Sequence, residues 1–131
     1  MSKSLSELRA RAYSAQGYRC FYCRCFMWLG SADAFCTQFR LRSGQVVGLQ
    51  CTAEHLVARQ DGGTDCLENV VAACQSCNWR RHARPKAMPV DRYRTHVARR
   101  VQQGRWHGFD AASKGLVDLS LLQGACNRAN D

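Results

Sequence analysis

At 131 residues and 46% hydrophobic, the chain has the size and composition of one globular domain with a modest core. No apolar run reaches the ~18–20 residues of a membrane helix, and the opening MSKSLSELRARAYS lacks the apolar centre of a secretory signal, so a cytoplasmic protein is expected. Nineteen Lys and Arg against ten Asp and Glu give a net charge of +9, which points to a polyanion, nucleic acid first, with a merely soluble basic surface as the alternative.

Taken in order, Ser4 to Gln16 reads as a first helix. Ser4-x-x-Glu7 is a capping box, Leu5, Leu8 and Ala12 recur at helical spacing, and Gly17 is the stop. Cys20-Phe-Tyr-Cys23 follows as a metal knuckle, because two intervening residues let a tight turn aim both thiolates at one ion. Cys25 to Arg42 carries no clear periodicity, but Phe26, Met27, Trp28, Leu29, Phe35 and Phe39 supply core material. After a turn at Ser43-Gly44, the β-branched run Val46 to Thr52 predicts a strand ending just before Glu54-His55. Asp61-Gly-Gly-Thr64 is a tight turn, and Asn69 to Ala73 is a short returning strand. A second knuckle, Cys74-x-x-Cys77, feeds a helix through about Ala83 that Pro85 ends. Pro89 precedes a further helix, Asp91 to about Gln103, with Val90, Tyr93, Val97 and Val101 as its buried stripe and Gly104 as its stop. From Trp106 the chain has breaks at Gly108, Gly115 and Gly124 around one apolar segment, Leu116 to Leu122. Asn127 to Asp131 reads as a frayed end.

Nine cysteines are many, but the number is odd and four of them form the two Cys-x-x-Cys pairs. Cys20, Cys23, Cys74 and Cys77 are therefore read as a four-thiolate structural zinc site in a reducing compartment rather than as disulfides. Cys25, Cys36, Cys51 and Cys66 are either small buried apolar residues or ligands of a second zinc, and Cys126 is a free thiol. His96 and His107 have no ligand-spaced neighbours and are assigned no metal.

The stretch Cys51 to His82 concentrates the chemistry. Phosphodiester hydrolysis needs a base for water, positive charge for the phosphate and help for the leaving oxygen, and one histidine with one divalent cation covers all three. At a strand end, adjacent side chains diverge, so Glu54 can hold a metal while His55 faces a water. Asn78 and His82 lie one helical turn apart on the same face. Glu54, Asn78 and His82 offer a hard-leaning O, O, N set suited to Mg²⁺ or Mn²⁺ that also admits Ni²⁺ or Zn²⁺. Competing readings are a core histidine at 55, a solvated or arginine-paired acid at 54, a helix-capping asparagine at 78 and a helix-surface histidine at 82. Between Trp79 and Arg105 there are nine basic residues and one acid, Asp91. Arg80, Arg81, Arg84, Lys86, Arg92, Arg99 and Arg100 are the nucleic-acid-binding candidates in that run.

The order Cys20-x-x-Cys23, Glu54-His55, Gly62-Gly63, Asn69, Cys74-x-x-Cys77-Asn78 resembles the HNH endonucleases over roughly Tyr18 to Pro85. The resemblance implies the ββα-metal (His-Me finger) fold. It also implies His55 as general base, Asn69 orienting that histidine through its backbone, and Glu54, Asn78 and His82 on the catalytic cation, with the two Cys pairs on structural zinc. Three positions depart from the family pattern. Glu54 stands where Asp or His is usual, Ala58 where proline is frequent, and Arg81 where lysine is frequent.

The expected architecture is an α+β single domain over residues 1–131. An N-terminal helix (1–17) precedes a zinc-stapled ββα-metal core (18–85), and a basic helix and tail (86–131) follow it. The expected function is a metal-dependent DNA endonuclease acting on double-stranded DNA and leaving 5′-phosphate and 3′-hydroxyl ends, with a homodimer as one route to double-strand cleavage. The alternatives are a catalytically silent zinc-stabilised nucleic-acid-binding module and an interaction protein with a basic helix.

Overall fold

The computed structural model describes residues 3–122. Cys126, Gly124 and the 127–131 end lie outside the described residues. Among the described residues, five α-helices and two strands run in the order α1 (Leu5–Ala15), α2 (Asp33–Phe39), α3 (Ser43–Val46), β1 (Cys51–His55), β2 (Val70–Cys74), α4 (Gln75–Arg81) and α5 (Val90–Gln102). This is the expected mixture of helices around a small two-stranded sheet.

Helix α1 starts as its capping box dictates, with the Ser4 hydroxyl accepting from the Glu7 N–H at 3.2 Å. It ends before Gly17, whose φ of +66° suits glycine. The helix then extends the sheet with a side chain. Gln16 Nε2 donates to the Ala72 carbonyl at 2.8 Å and Oε1 accepts from the Ala72 N–H at 2.9 Å, so the amide pairs with β2 as a neighbouring strand would.

The sheet is antiparallel, with Cys51 opposite Cys74 and His55 opposite Val70. The expected strand over Val46 to Thr52 is corrected here. Val46 ends α3, Val47–Leu49 is a turn of 3-10 helix, and the strand begins only at Cys51. The side chains explain it, since Val46 and Leu49 are three apart and both buried, a helical spacing that β-propensity alone misreads. Gly48 permits the close approach of α4, for a Cβ there would stand 2.3 Å from Ser76 Oγ. The shift carries Glu54 and His55 into the strand itself, as its last two residues.

One hydrophobic cluster joins the parts. It takes Tyr22, Met27, Leu49, Ala72 and Ala73 from the centre, Tyr93, Val97, Ala98 and Val101 from α5, and Leu116, Val117 and Leu122 from the C-terminal segment. Helix α5 has the expected boundaries to within one residue, and of the expected stripe Tyr93, Val97 and Val101 are buried, with Ala98 beside them and Val90 half-buried.

The connection from β1 to β2 turns through Gly62, at φ +94°, and Gly63. A Cβ on Gly63 would lie 1.7 Å from the Val57 carbonyl oxygen and 2.9 Å from the Asn69 amide nitrogen. Gly63→Ala is expected to lower stability by about 1–3 kcal/mol through this clash, read as a reduced urea midpoint at unchanged slope.

Candidate active site and metal centres

The two knuckles meet as the spacing requires. The sulfurs of Cys20, Cys23, Cys74 and Cys77 all lie within 4.8 Å of one another and all four residues are fully buried. None of them is in a disulfide. Each knuckle is shaped locally. Arg24 takes a left-handed φ of +64° just after the first, its N–H closing a turn onto the Cys20 carbonyl at 3.0 Å. Cys74 caps α4, accepting from the Cys77 N–H at 3.5 Å.

Further N–H groups are aimed at sulfur: Tyr22 and Cys74 amides at Cys20, both 3.3 Å, and the Trp106 indole at Cys77, 3.2 Å. Such donors favour thiolate over thiol. Burial pushes the Cys23, Cys74 and Cys77 thiols well above their ordinary value. At Cys20 burial acts the same way, but hydrogen bonds from Cys23, Cys74 and Cys77 outweigh it and hold that thiol well below. A buried set of this kind, with donors already in place, fits a structural metal ion whose charge offsets the thiolates.

The structure adds a neighbour that spacing did not reveal. His107 lies beside Cys23 and Cys25, with Nε2 3.6 Å from Cys25 Sγ, so the expectation that His107 has no ligand-type neighbours is corrected. Burial pushes His107 down to about 4, so it is neutral at pH 7. Cys25 and Cys51 are buried, while Cys36 and Cys66 are half-buried.

A cleft of about 320 Å³ is lined by Ala53, Glu54, His55, Ala58, Arg59, Gln60, Asn78 and His82. Strand β1 supplies Glu54 and His55, α4 supplies Asn78, and His82 is the residue that caps α4. The four predicted side chains are therefore brought together. Glu54 is 1% exposed. Its Oε2 accepts from the Tyr22 hydroxyl at 2.9 Å and from Arg81 Nη1 at 3.2 Å, and its Oε1 lies 2.8 Å from His82 Nε2. Asn78 Nδ2 donates to Thr52 Oγ1 and to the Ala53 carbonyl, both at 3.0 Å, and its Oδ1 has no hydrogen-bond partner among the described residues. One carboxylate oxygen, one imidazole nitrogen and one amide oxygen on the same cleft fit a divalent cation of the hard-to-borderline kind.

His55 diverges from Glu54, as alternation along a strand requires. Its Nε2 lies 2.7 Å from Asp65 Oδ1, and Arg59 Nη2 grips the same carboxylate at 2.9 Å. The hydrogen bond from His55, and then the hydrogen bond and charge of Arg59, hold the Asp65 carboxyl below its ordinary value. An ionised carboxylate only accepts, so the Nε2 that faces it carries a proton, and in that tautomer the ring's lone pair lies on Nδ1. Asp65 was not singled out in the sequence. It is ten residues from His55 across a glycine turn, and nothing in that spacing marks it.

Asn69 does not touch the His55 ring. Its Oδ1 accepts from the Val57 N–H at 2.8 Å, its Nδ2 donates to the Val57 and Thr64 carbonyls at 3.0 Å, and its backbone oxygen accepts from the Leu56 N–H. The side chain closes the loop that carries Asp65.

Arg81, expected on nucleic acid, is buried instead. It bonds Glu54, the His55 carbonyl at 3.0 Å, the Leu56 carbonyl at 2.9 Å and the Met88 carbonyl at 3.1 Å, which leaves no face for a phosphate. Its charge offsets Glu54. Arg80, Arg84, Lys86, Arg92, Arg99 and Arg100 are exposed. Arg80 stacks 4.4 Å over Trp106 and donates to the Trp106 carbonyl. Arg84, Lys86 and Arg92 line a groove of about 380 Å³.

Two outcomes follow. Purified protein is expected to hold one tightly bound zinc per chain by elemental analysis, and Cys74→Ser to lose both the metal and the cooperative thermal transition, because structural zinc contributes roughly 10–16 kcal/mol in apparent terms. Arg81→Met is expected to destabilise the fold by about 3–5 kcal/mol, the cost of leaving a buried charge unpaired, measured by denaturant unfolding.

Residues 36–84 match the family model described as HNH endonuclease. The match contains β1, β2, α4, His55, Asn69 and the second knuckle, while Cys20 and Cys23 precede it and join it in space. No curated protein and no solved structure matches the chain. The match supports a function of the nuclease type in general: residues 36–84 are similar to the HNH endonuclease family, and a buried four-cysteine cluster joins them in space to the preceding knuckle.

Proposed function

We propose that the chain is a metal-dependent DNA endonuclease that hydrolyses phosphodiester bonds at the Glu54–His55–Asn78–His82 cleft. The observation that carries this reading is the division of labour on β1. Glu54 turns inward to His82 and Arg81, while His55 turns to Asp65 with Nδ1 left to accept a proton.

His55 Nδ1 removes a proton from the attacking water. The imidazolium that forms is stabilised by Asp65, whose position is fixed by Arg59 and by the loop that Asn69 clamps. Glu54, Asn78 and His82 would hold a catalytic cation, Mg²⁺ or Mn²⁺ by their donor types, and it would supply positive charge for the phosphate and for the departing 3′ oxygen. Arg81 fixes the strand end by holding the carbonyls of His55 and Leu56. The 3′ oxygen takes a proton from solvent water as it leaves, so the products carry 5′-phosphate and 3′-hydroxyl ends.

Double-stranded DNA is the proposed partner. On α5, Arg92 and Arg99 are seven residues apart and so share one exposed face, and Arg80, Arg84 and Lys86 continue the positive surface towards α4. Each phosphate contact contributes a log–log salt slope of about −0.9, so Arg99→Ala is expected to reduce the slope by about one without altering sequence preference. The measurement is fluorescence anisotropy across 50–300 mM salt.

The reading is tested with supercoiled plasmid and wild-type protein over Mg²⁺, Mn²⁺, Ni²⁺ and EDTA. Metal-dependent nicking is expected, lost by at least ~10²-fold in His55→Ala, the usual weight of a general base, while DNA affinity stays within a factor of two. Asp65→Ala is expected to lower turnover with little change in affinity. Zinc-loaded, folded protein that binds DNA but nicks with no metal would replace this reading with the silent binding module.

A further inference from the structure

We infer that Tyr22, the residue inside the first cysteine knuckle, is a positioning residue that couples the four-cysteine metal site to the catalytic cation site. The inference rests on the reading of Glu54 and His82 as cation ligands.

Tyr22 belongs to both sites at once. Its backbone N–H points at Cys20 Sγ at 3.3 Å, and its hydroxyl donates to Glu54 Oε2 at 2.9 Å. Between these ends the ring is 1% exposed and held edge-on by Phe21 at 5.2 Å and by Tyr93 at 4.8 Å. Tyr93 in turn donates to the Cys77 carbonyl at 2.5 Å, so the ring is wedged between elements of both knuckles. A tyrosine has two side-chain torsions, and with the backbone pinned at a thiolate and the ring clamped, the hydroxyl has one place to be.

The consequence falls on Glu54. Tyr22 and Arg81 both occupy Oε2, which leaves Oε1 as the oxygen turned to His82. Arg81 holds Oε2 at 3.2 Å and His82 meets Oε1 at 2.8 Å. The hydroxyl gives Oε2 a second and shorter hydrogen bond, one that stays in place when His82 turns to a cation. Hydrogen-bonded partners of ligating carboxylates typically contribute 10–100-fold to metal affinity. A metal on the cysteines therefore sets the geometry of the other site through one side chain, and by linkage the catalytic cation tightens the hold on the first metal by the same factor as the first metal tightens the cation.

The test uses zinc-loaded protein and two readouts independent of cleavage. Mn²⁺ binding is followed by electron paramagnetic resonance without DNA, in wild type, Tyr22→Phe and Glu54→Gln. Tyr22→Phe keeps the ring and is expected to retain its zinc and its circular dichroism while binding Mn²⁺ about 10–100-fold more weakly. In wild type, saturating Mg²⁺ is expected to raise zinc affinity by about 5-fold or more against a zinc-selective chelator, and this measurement stands even if the variant folds poorly. Unchanged Mn²⁺ affinity in folded, zinc-loaded Tyr22→Phe, or zinc affinity indifferent to Mg²⁺, would overturn the coupling while leaving the nuclease reading intact. Mn²⁺ binding that Glu54→Gln does not weaken would instead overturn the ligand assignment, and the coupling with it.

Discussion

The structure depends on burying one carboxylate. Glu54 lies at the end of a two-stranded sheet with almost no contact with solvent. A carboxylate there is tolerable only when donors surround it. The donors come from both sides of the fold, Tyr22 from the first knuckle and Arg81 and His82 from the helix that begins at the second. Two strands of five residues cannot hold those pieces by themselves. The four-cysteine cluster is what brings them together, since Cys20 and Cys23 are some fifty residues from Cys74 and Cys77 in the chain and within bonding distance of one ion in space.

The same economy governs the positive charge. The basic run after Cys77 looks uniform in sequence and is not uniform in the fold. Arg81 turns inward as the counter-charge of Glu54, Arg80 lies on Trp106, Arg94 lies over Phe21, and Arg92, Arg99 and Arg100 of α5 face outward. Helical periodicity separates them. Asn78 and His82 are four apart on the cleft, Arg81 packs beneath the strand end, and Arg80 belongs to the opposite side. The internal arginine serves architecture, and the external ones are proposed to serve the polyanion.

How legible this was depends on range. The cysteine pairs, the Glu54-His55 pair, the glycine turn and the i, i+4 pair of Asn78 and His82 are local patterns, and each could be read directly. The capping box at Ser4 and the stripe on α5 were legible for the same reason. Val46 to Leu49 was misread because β-branched residues suggested a strand where a three-residue spacing of buried side chains made a helical turn. The contacts of Tyr22 with Glu54, His107 with Cys25 and Asp65 with His55 join residues 32, 82 and 10 apart. No periodicity encodes them; they exist only once the fold has closed. Arg81 shows the same limit, for charge is visible in sequence and burial of that charge is not.

The most direct test of the account is crystallographic, using zinc-loaded protein soaked in Mn²⁺ with data collected at the absorption edges of both metals. The account predicts a zinc peak among the sulfurs of Cys20, Cys23, Cys74 and Cys77, and a separate manganese peak between Glu54 Oε1 and His82 Nε2 on the Asn78 side of the cleft, with the Tyr22 hydroxyl still on Oε2. Manganese bound elsewhere, or none in the cleft while Glu54 keeps its hydrogen bond to His82, would contradict it.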